Sequence, residues 1–340
     1  MKLIIQIPSY NEADTLQIAL NDLPHHIDGV DELEYLVIND GSTDNTVEVA
    51  RAWGVNYIVD LKRNKGLAYG FMAGLDACLR AGADIIVNTD ADNQYCGADI
   101  AKLVQPILDG KSDIVIGERP IDATKHFSAT KKILQHFGSW VVRQASNSDI
   151  PDAPSGFRAF SREAALRLNV TNKYTYTLET IIQAGRTKIP QTSVPIRTNP
   201  QLRPSRLFGS ISKYVQKTSA LILRTYLMYS PLKTFTFIAA VPLLAGFVIG
   251  LRYLVFMLQG RGYGHTQSLI LCSILLIVGC LNLVMGLLAD LIAKNRMLLE
   301  DIQYHVRKMD YDAAAEAGKL SNSTKKVLPN QKQELRDAKV

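Results

Sequence analysis

Two stretches of this 340-residue chain leave little choice of conformation. From Thr234 to Met257 the sequence TFTFIAAVPLLAGFVIGLRYLVFM is almost wholly apolar, and from Gln267 to Ile292 so is QSLILCSILLIVGCLNLVMGLLADLI. A helix needs about 20 apolar residues to cross a hydrocarbon core about 30 Å thick. Within that core each backbone N–H and C=O must be bonded inside the segment, which leaves only the α-helix for an isolated run. Two such runs in succession are poorly explained as buried core helices. The short segment LQGRGYGHT between them makes the pair a helical hairpin with both flanks on one side. Arg252, near the end of the first run, can extend its charge to an interface.

The side is set by basic residues. Lys213, Lys217, Arg224 and Lys233 precede the first run, and Lys294, Arg296, Arg307 and Lys308 follow the second, against mainly Arg261 in the loop. The expected protein is a multi-pass one of the plasma (cytoplasmic) membrane, with its bulk and both termini cytoplasmic. It opens on the strand-like KLIIQIP, with no charged leader before an apolar stretch. Cys78 and Cys96 are far apart, Cys272 and Cys280 lie inside the second run, and no metal spacing appears, which fits a reducing compartment. Cys96 reads as a bystander thiol. A net charge of +6 is compatible with nucleic acid, but its concentration beside the apolar runs suits anionic lipid head groups instead.

Before the hairpin, short apolar runs alternate with amphipathic stretches. LIIQI, YLVIN, NYIVD, DIIVN and DIVIG read as strands, with helices from about Asp14, after Ser42, and from about Gly66 and Ala98. The expectation is an α/β fold: a mainly parallel sheet with helices on both faces. Ligands of such sheets bind beyond the carboxyl ends of the strands. Pro8 to Glu12, Asn39 to Asp44 and Asp90 to Gln94 then share one rim. The sequence divides into a catalytic domain over 1–207, an amphipathic juxtamembrane helix over 208–230, two transmembrane helices within 231–292, and a helix with a flexible tail over 293–340. A second basic amphipathic helix is expected around KHFSATKKILQHFGSWVVRQAS.

The rim carries the chemistry. In NTDADNQY, after the apolar run to Val87, an extended backbone would point Asp90, Asp92 and Gln94 to one side. Two carboxylates and an amide are hard oxygen donors suited to Mg²⁺ or Mn²⁺, ions that bind few protein groups plus substrate phosphates. In NDGSTDNT, Ser42 and Asp44 read as helix caps, whereas capping gives no reason for Asp40.

The motifs IPSYNE, NDGSTD, NKGLAYGFMAG, DADNQ, GERP, SGFRAFSR and VPIR, in this order, resemble the family 2 glycosyltransferases of GT-A fold. The closer resemblance is to polyprenyl-phosphate glycosyltransferases such as dolichyl-phosphate mannose synthases, and it covers roughly residues 1 to 230. It implies inverting transfer of one sugar from a nucleotide-sugar to a polyprenyl phosphate, with Mg²⁺ or Mn²⁺. It also implies roles for residues. Pro8, Tyr10, Glu12, Asp40, Lys65 and Asp90 fall on the donor side, and Asp90, Asp92 and Gln94 on the metal. Arg119, Lys131 and Lys132 fall where the family holds the acceptor phosphate. Arg158, Arg203, Ser205 and Arg206 match polar positions near donor diphosphate or acceptor, and Asp152 matches an acid near the reacting centre.

Asn39 stands where the family often has a first Asp, and no Gln-x-x-Arg-Trp motif of processive synthases is present, which disfavours a polymerising enzyme. A phosphate monoester is already ionised near neutral pH, its second pKa being about 6, so a general base is not obligatory. Two rivals remain at this stage: transfer to another lipid or glycan, and a catalytically silent nucleotide-binding scaffold. UDP- and GDP-linked donors, undecaprenyl and dolichyl acceptors, and a homo-oligomer also stay open.

Overall fold

The computed structural model describes residues 1–120, 142–143, 146, 148–170, 175–200, 230–260, 266–316 and 326–328. The chain forms two units, Met1–Ile222 with Gln303–Val340, and Leu223–Ile302. The first half of unit one is β1 (Lys2–Ser9), α1 (Ala13–Asn21), β2 (Glu32–Asn39), α2 (Thr46–Trp53), β3 (Tyr57–Asp60), α3 (Leu67–Arg80), β4 (Ile85–Asn88), α4 (Ile100–Leu108) and β5 (Ile114–Glu118). It continues with β6 (Arg158–Ser161), α5 (Arg162–Arg167), α6 (Thr177–Thr187) and β7 (Gln191–Pro195).

These strands form one sheet in the order β7-β5-β6-β4-β1-β2-β3, extended at the β3 edge by a short parallel strand, β8 (Lys326–Leu328). The strands are mutually parallel apart from β6, which runs antiparallel to both β4 and β5. The expected α/β sheet is present with β1 to β5 where the alternation placed them, while β6, β7 and β8 lie beyond it, β6 being the one antiparallel strand. Leu3, Ile4, Ile5 and Ile7 of β1 are all fully buried, as a strand covered on both faces requires. On one face Leu3, Ile5, Ile7, Val37 and Val87 pack with Leu16 and Leu20 of α1 and Leu103 and Val104 of α4. On the other, Phe71 of α3 stacks on Tyr176 at 3.8 Å between ring centroids and meets Phe160 edge-on.

This second face also carries buried polar groups. Gln6 Nε2 donates to Asn88 Oδ1 at 3.0 Å, and Asn88 Nδ2 donates to Gly156 O at 3.0 Å and lies 2.8 Å from Tyr176 Oη. Gln6 and Asn88 are fully buried, so each bond substitutes for lost water.

Unit two contains α7 (Pro231–Leu258) and most of α8 (Thr266–Glu316), both long and apolar enough to cross a membrane. They pack where residues are small: Gly246, Gly279 and Gly286 lie against Leu276, Leu243 and Phe235. Cys272 Sγ donates to Gly246 O at 3.1 Å, and most other large side chains on both helices are exposed.

The last turns of α8 belong to unit one, which differs from the division at Ile292 drawn from the sequence. Tyr304 Oη donates to Glu163 Oε2 at 2.9 Å, Arg307 Nη1 to Leu168 O at 3.0 Å, and Tyr311 Oη to Asp76. Arg162 pairs with Asp312 at 2.9 Å. Polar and aromatic groups facing α3 and α5 thus hold this segment, which lies in the stretch after residue 292 where the sequence leads one to expect a helix.

Asn88→Ala leaves the buried amide of Gln6 without its acceptor and takes one bond each from Gly156 O and Tyr176 Oη, which among the described residues keep only each other at 3.2 Å. We expect a stability loss of about 2 kcal/mol or more, read as a lowered thermal midpoint in detergent; an unchanged midpoint would show that water replaces the amide.

Candidate active site

The parallel strands end on one rim, and strand order reverses at β1, between β2 and β4. Crevices at such a reversal are where open α/β sheets bind ligands. Two of the loops there are bonded to each other. Asn11, at φ 53°, donates its N–H to Ser42 Oγ at 2.9 Å and accepts from Thr43 N at 2.8 Å. Glu12 N donates to Thr46 Oγ1 at 3.0 Å, and Ala13 N to Asp44 Oδ2 at 3.1 Å. Ser42, expected as a cap of α2, instead joins the β2–α2 loop to the β1–α1 loop; Asp44 does this too while accepting from Thr46 N at 3.1 Å, and the N-cap position itself is Asn45. Glu12 is buried, and its carboxylate accepts from Thr15 Oγ1 at 2.9 Å. Tyr10 is 42% exposed on the same rim, next to Pro8 and Ser9 at the end of β1.

Asp40 follows β2 and is 5% exposed. Its two oxygens accept from Lys65 N at 2.7 Å and Gly66 N at 2.9 Å, at the start of α3. Burial raises its pKa, and the two N–H groups with the Lys65 charge offset part of that rise. Gly41, at φ 72°, is forced by this packing: a Cβ there would lie 2.4 Å from the backbone of Arg63. Asp40 is thus a fixed acceptor, and each oxygen keeps a lone pair for a donor such as a nucleobase N–H. Lys65 Nζ lies 3.3 Å from Tyr69 Oη and 4.4 Å from the centre of its ring.

The acidic segment differs from the extended backbone expected of it. β4 stops at Asn88, and the chain turns at Ala91 and Asp92, with Gln94 N donating to Asp92 Oδ1 at 3.2 Å and Asn93 at φ 55°. Asp90, Asp92 and Gln94 are grouped by this turn, all partly exposed. Among the described residues no cluster of three His, Cys, Asp or Glu exists. Two carboxylates and an amide on one turn fit Mg²⁺ or Mn²⁺, whose shells are completed by water and substrate phosphate.

A segment that sequence reasoning left without a role fastens this turn. Asn199 N donates to Gln94 O at 2.9 Å and Cys96 N to Arg197 O at 3.3 Å, while Tyr95 and Thr198 form an antiparallel bridge. Arg197 is anchored in turn on the buried Asp99, which accepts from its Nη2 at 2.8 Å and its backbone N at 2.6 Å. Burial of Asp99 would raise its pKa, but the bonds from Arg197 and Lys102 bring it down to about 2. The signal was the VPIR motif itself, whose arginine had no assigned partner.

Opposite lies Arg119, directly after β5. Its Nε and Nη2 hold Asp152 Oδ2 and Oδ1 at 2.7 and 2.9 Å, and its backbone N donates to Oδ2 at 3.2 Å. Burial opposes the guanidinium charge, but Tyr95, the Asp152 bonds and the Asp152 and Asp90 carboxylates outweigh it and raise the pKa. Arg119, Asp152, Asp90 and Tyr95 thus form one electrostatic neighbourhood, in which the acid turn meets the pair that follows β5.

Arg158, expected near the donor, is instead completely buried and donates to Ser155 O, Ala153 O, Thr177 O and Thr180 Oγ1. Lys131, Lys132, Arg203, Ser205 and Arg206 lie outside the described residues.

Residues 4–168 match the model of the family described as Glycosyl transferase family 2. The UDP-N-acetylglucosamine–dolichyl-phosphate N-acetylglucosaminyltransferase of Methanococcus voltae is 31% identical over 214 residues, 56% of this chain and 83% of that protein. The polyprenol monophosphomannose synthase of Mycolicibacterium smegmatis is 24% identical over 61% of this chain and 81% of its own length. Among solved structures, glucosyl-3-phosphoglycerate synthase from Mycobacterium tuberculosis, in complex with Mn²⁺, UDP and phosphoglyceric acid, shares the fold. Its TM-score is 0.51 at 20% identity, over 65% of this chain and 78% of that one. The matched region runs from β1 to α5 and takes in the loops of the rim: the chain belongs to glycosyl transferase family 2.

Proposed function

We propose that this glycosyltransferase moves one sugar from a nucleotide-sugar to a polyprenyl phosphate, with inversion and with a divalent metal, at the cytoplasmic face of the membrane. The observation that carries this reading is the meeting of an acidic turn, Asp90 to Gln94, with the clamped guanidinium of Arg119. An enzyme joining two phosphorylated substrates needs both signs of charge in one cleft. The relatives' substrates support the same pairing, and the long apolar helices suit a lipid acceptor.

Asp40, with both oxygens already fixed by backbone N–H groups, accepts from the nucleobase or ribose and holds that end of the donor. Asp90, Asp92 and Gln94 would hold the Mg²⁺ or Mn²⁺, which when bound supplies positive charge to the departing nucleoside diphosphate. Arg119 presents its outer guanidinium edge to the acceptor phosphate and offsets its charge. An ionised phosphate oxygen then displaces the nucleoside diphosphate at the anomeric carbon from the opposite side. No proton has to leave that oxygen, so no residue is required as base. The basic residues flanking the hairpin, Lys233, Lys294 and Arg296 among them, favour a cytoplasmic catalytic unit and contact with anionic lipids.

Incubation of the purified protein with UDP- and GDP-linked sugars and with undecaprenyl or dolichyl phosphate is expected to yield a lipid-linked monosaccharide by mass spectrometry. Hydrolysis of a nucleotide-sugar without any lipid product would sink the acceptor assignment, and no turnover of any donor would favour a silent scaffold. EDTA should abolish turnover and Mg²⁺ or Mn²⁺ restore it, while Asp92→Asn should lower kcat about 100-fold or more. For topology, a reporter inserted at Gly262 should be active only outside, and one fused after Val340 only inside; the reverse pattern would overturn the cytoplasmic placement.

A further inference from the structure

The Arg119–Asp152 pair is held from behind by a residue that reaches neither substrate. Arg158 opens β6 and is fully buried, and its acceptors are neutral. Its Nε donates to Ser155 O at 2.8 Å, Nη2 to Ala153 O at 2.7 Å, and Nη1 to Thr177 O at 2.8 Å and Thr180 Oγ1 at 2.7 Å. Burial without a carboxylate at hydrogen-bond distance lowers its pKa to about 10. A buried cation is costly, and a planar fork of donors is what three converging carbonyls and a hydroxyl can use. The result is that the loop between Asp152 and Phe157 is stapled to the start of α6.

The same loop reaches the acid turn. Gly156 N donates to Tyr95 Oη at 3.1 Å, and a Cβ at Gly156 would lie 3.3 Å from both oxygens of Asp90. Gly156 O accepts from Asn88 at 3.0 Å, so the loop is tied to the end of β4 as well. At its other end Asp152, itself fully buried, engages both of its oxygens with the guanidinium of Arg119. Among the described residues Arg119 Nη1 donates to nothing in the protein, while Nε and Nη2 are taken by Asp152. The carboxylate therefore turns the free edge of the fork.

We infer that Asp152 and Arg158 are positioning residues: Arg158 sets the loop, Asp152 aims Arg119, and the loop fixes the spacing between Arg119 and Asp90. This rests on the reading that Arg119 binds the acceptor phosphate. It assigns Asp152 the orientation of a neighbouring cation and leaves it no part as a base on the substrate.

The test compares steady-state kinetics of the full-length protein in detergent with variants Asp152→Asn, Arg158→Lys, their double variant and Arg119→Lys. Metal-dependent UDP binding is the check on folding. For Asp152→Asn the inference expects KM for the polyprenyl phosphate to rise about 10-fold or more, with UDP affinity unchanged and the shape of the pH–kcat profile retained. A base would instead show a kcat loss of about 100- to 10,000-fold and loss of the acidic limb of the profile, at unchanged acceptor KM. That outcome overturns the inference. Arg158→Lys should raise the same KM, and the double variant should add little to Asp152→Asn, since both act through one loop. Additive effects overturn the relay. If Arg158→Lys fails to bind UDP, Asp152→Asn decides alone. Unchanged acceptor KM in Arg119→Lys would show that the acceptor reading itself is at fault; altered KM there but not in Asp152→Asn would reject the positioning role alone.

Discussion

One strand runs against its neighbours, and the rim is organised around it. Because β6 is antiparallel to β4 and β5, its first residue stands where theirs end, with Arg158 in register with Asn88 on one side and Ile116 on the other. The loop leading into β6 is thereby delivered to the carboxyl-end rim and not to the opposite edge. From there it can touch the acid turn after β4 and the arginine after β5 at once. A fully parallel sheet would place that loop a strand's length away from both.

The rim also has a consistent division of charge. Asp40 and the acid turn are negative, with Asp40 bonded by backbone N–H groups and the turn strapped by residues 197–199. Arg119 is positive, and the Asp152 carboxylate bonded to it keeps it so against the cost of burial. Fixing the charges beforehand matters for the reaction proposed here, in which two anionic substrates meet between them; a side chain that had to swing into place would lose part of its effect to reorganisation.

Much of this is legible in the sequence. Strand–helix alternation locates β1 to β5 because each strand is buried on both faces and reads as an apolar run. The acids of the rim stand out because a polar cluster directly after such a run has no structural purpose within the core. Arg158 is the opposite case. A single arginine in SGFR reads as a ligand contact, and only the three-dimensional convergence of carbonyls from residues 153, 155 and 177 shows otherwise. Arg197 and Asp99 are almost a hundred residues apart, a pairing that local pattern cannot anticipate. A helix past residue 292 is legible in the sequence, but its attachment to unit one is not, because the binding is polar and joins residues far apart in the chain.

That end of α8 bears on how the enzyme can be handled. The segment from Gln303 to Asp312 covers Asp76, Arg80 and Arg162 with hydrogen bonds, and it returns to unit one only after the two long apolar helices. Two parts of one folding unit are thus separated in the chain by the unit that holds the two long apolar helices. A soluble fragment made by stopping ahead of residue 231 would carry a complete rim and an uncovered α3. The α3 helix begins at the turn held by Asp40, so such a fragment would lose support at one end of the element whose other end is fixed on the rim. A soluble catalytic unit is better built by joining the two flanks and omitting only what lies between them.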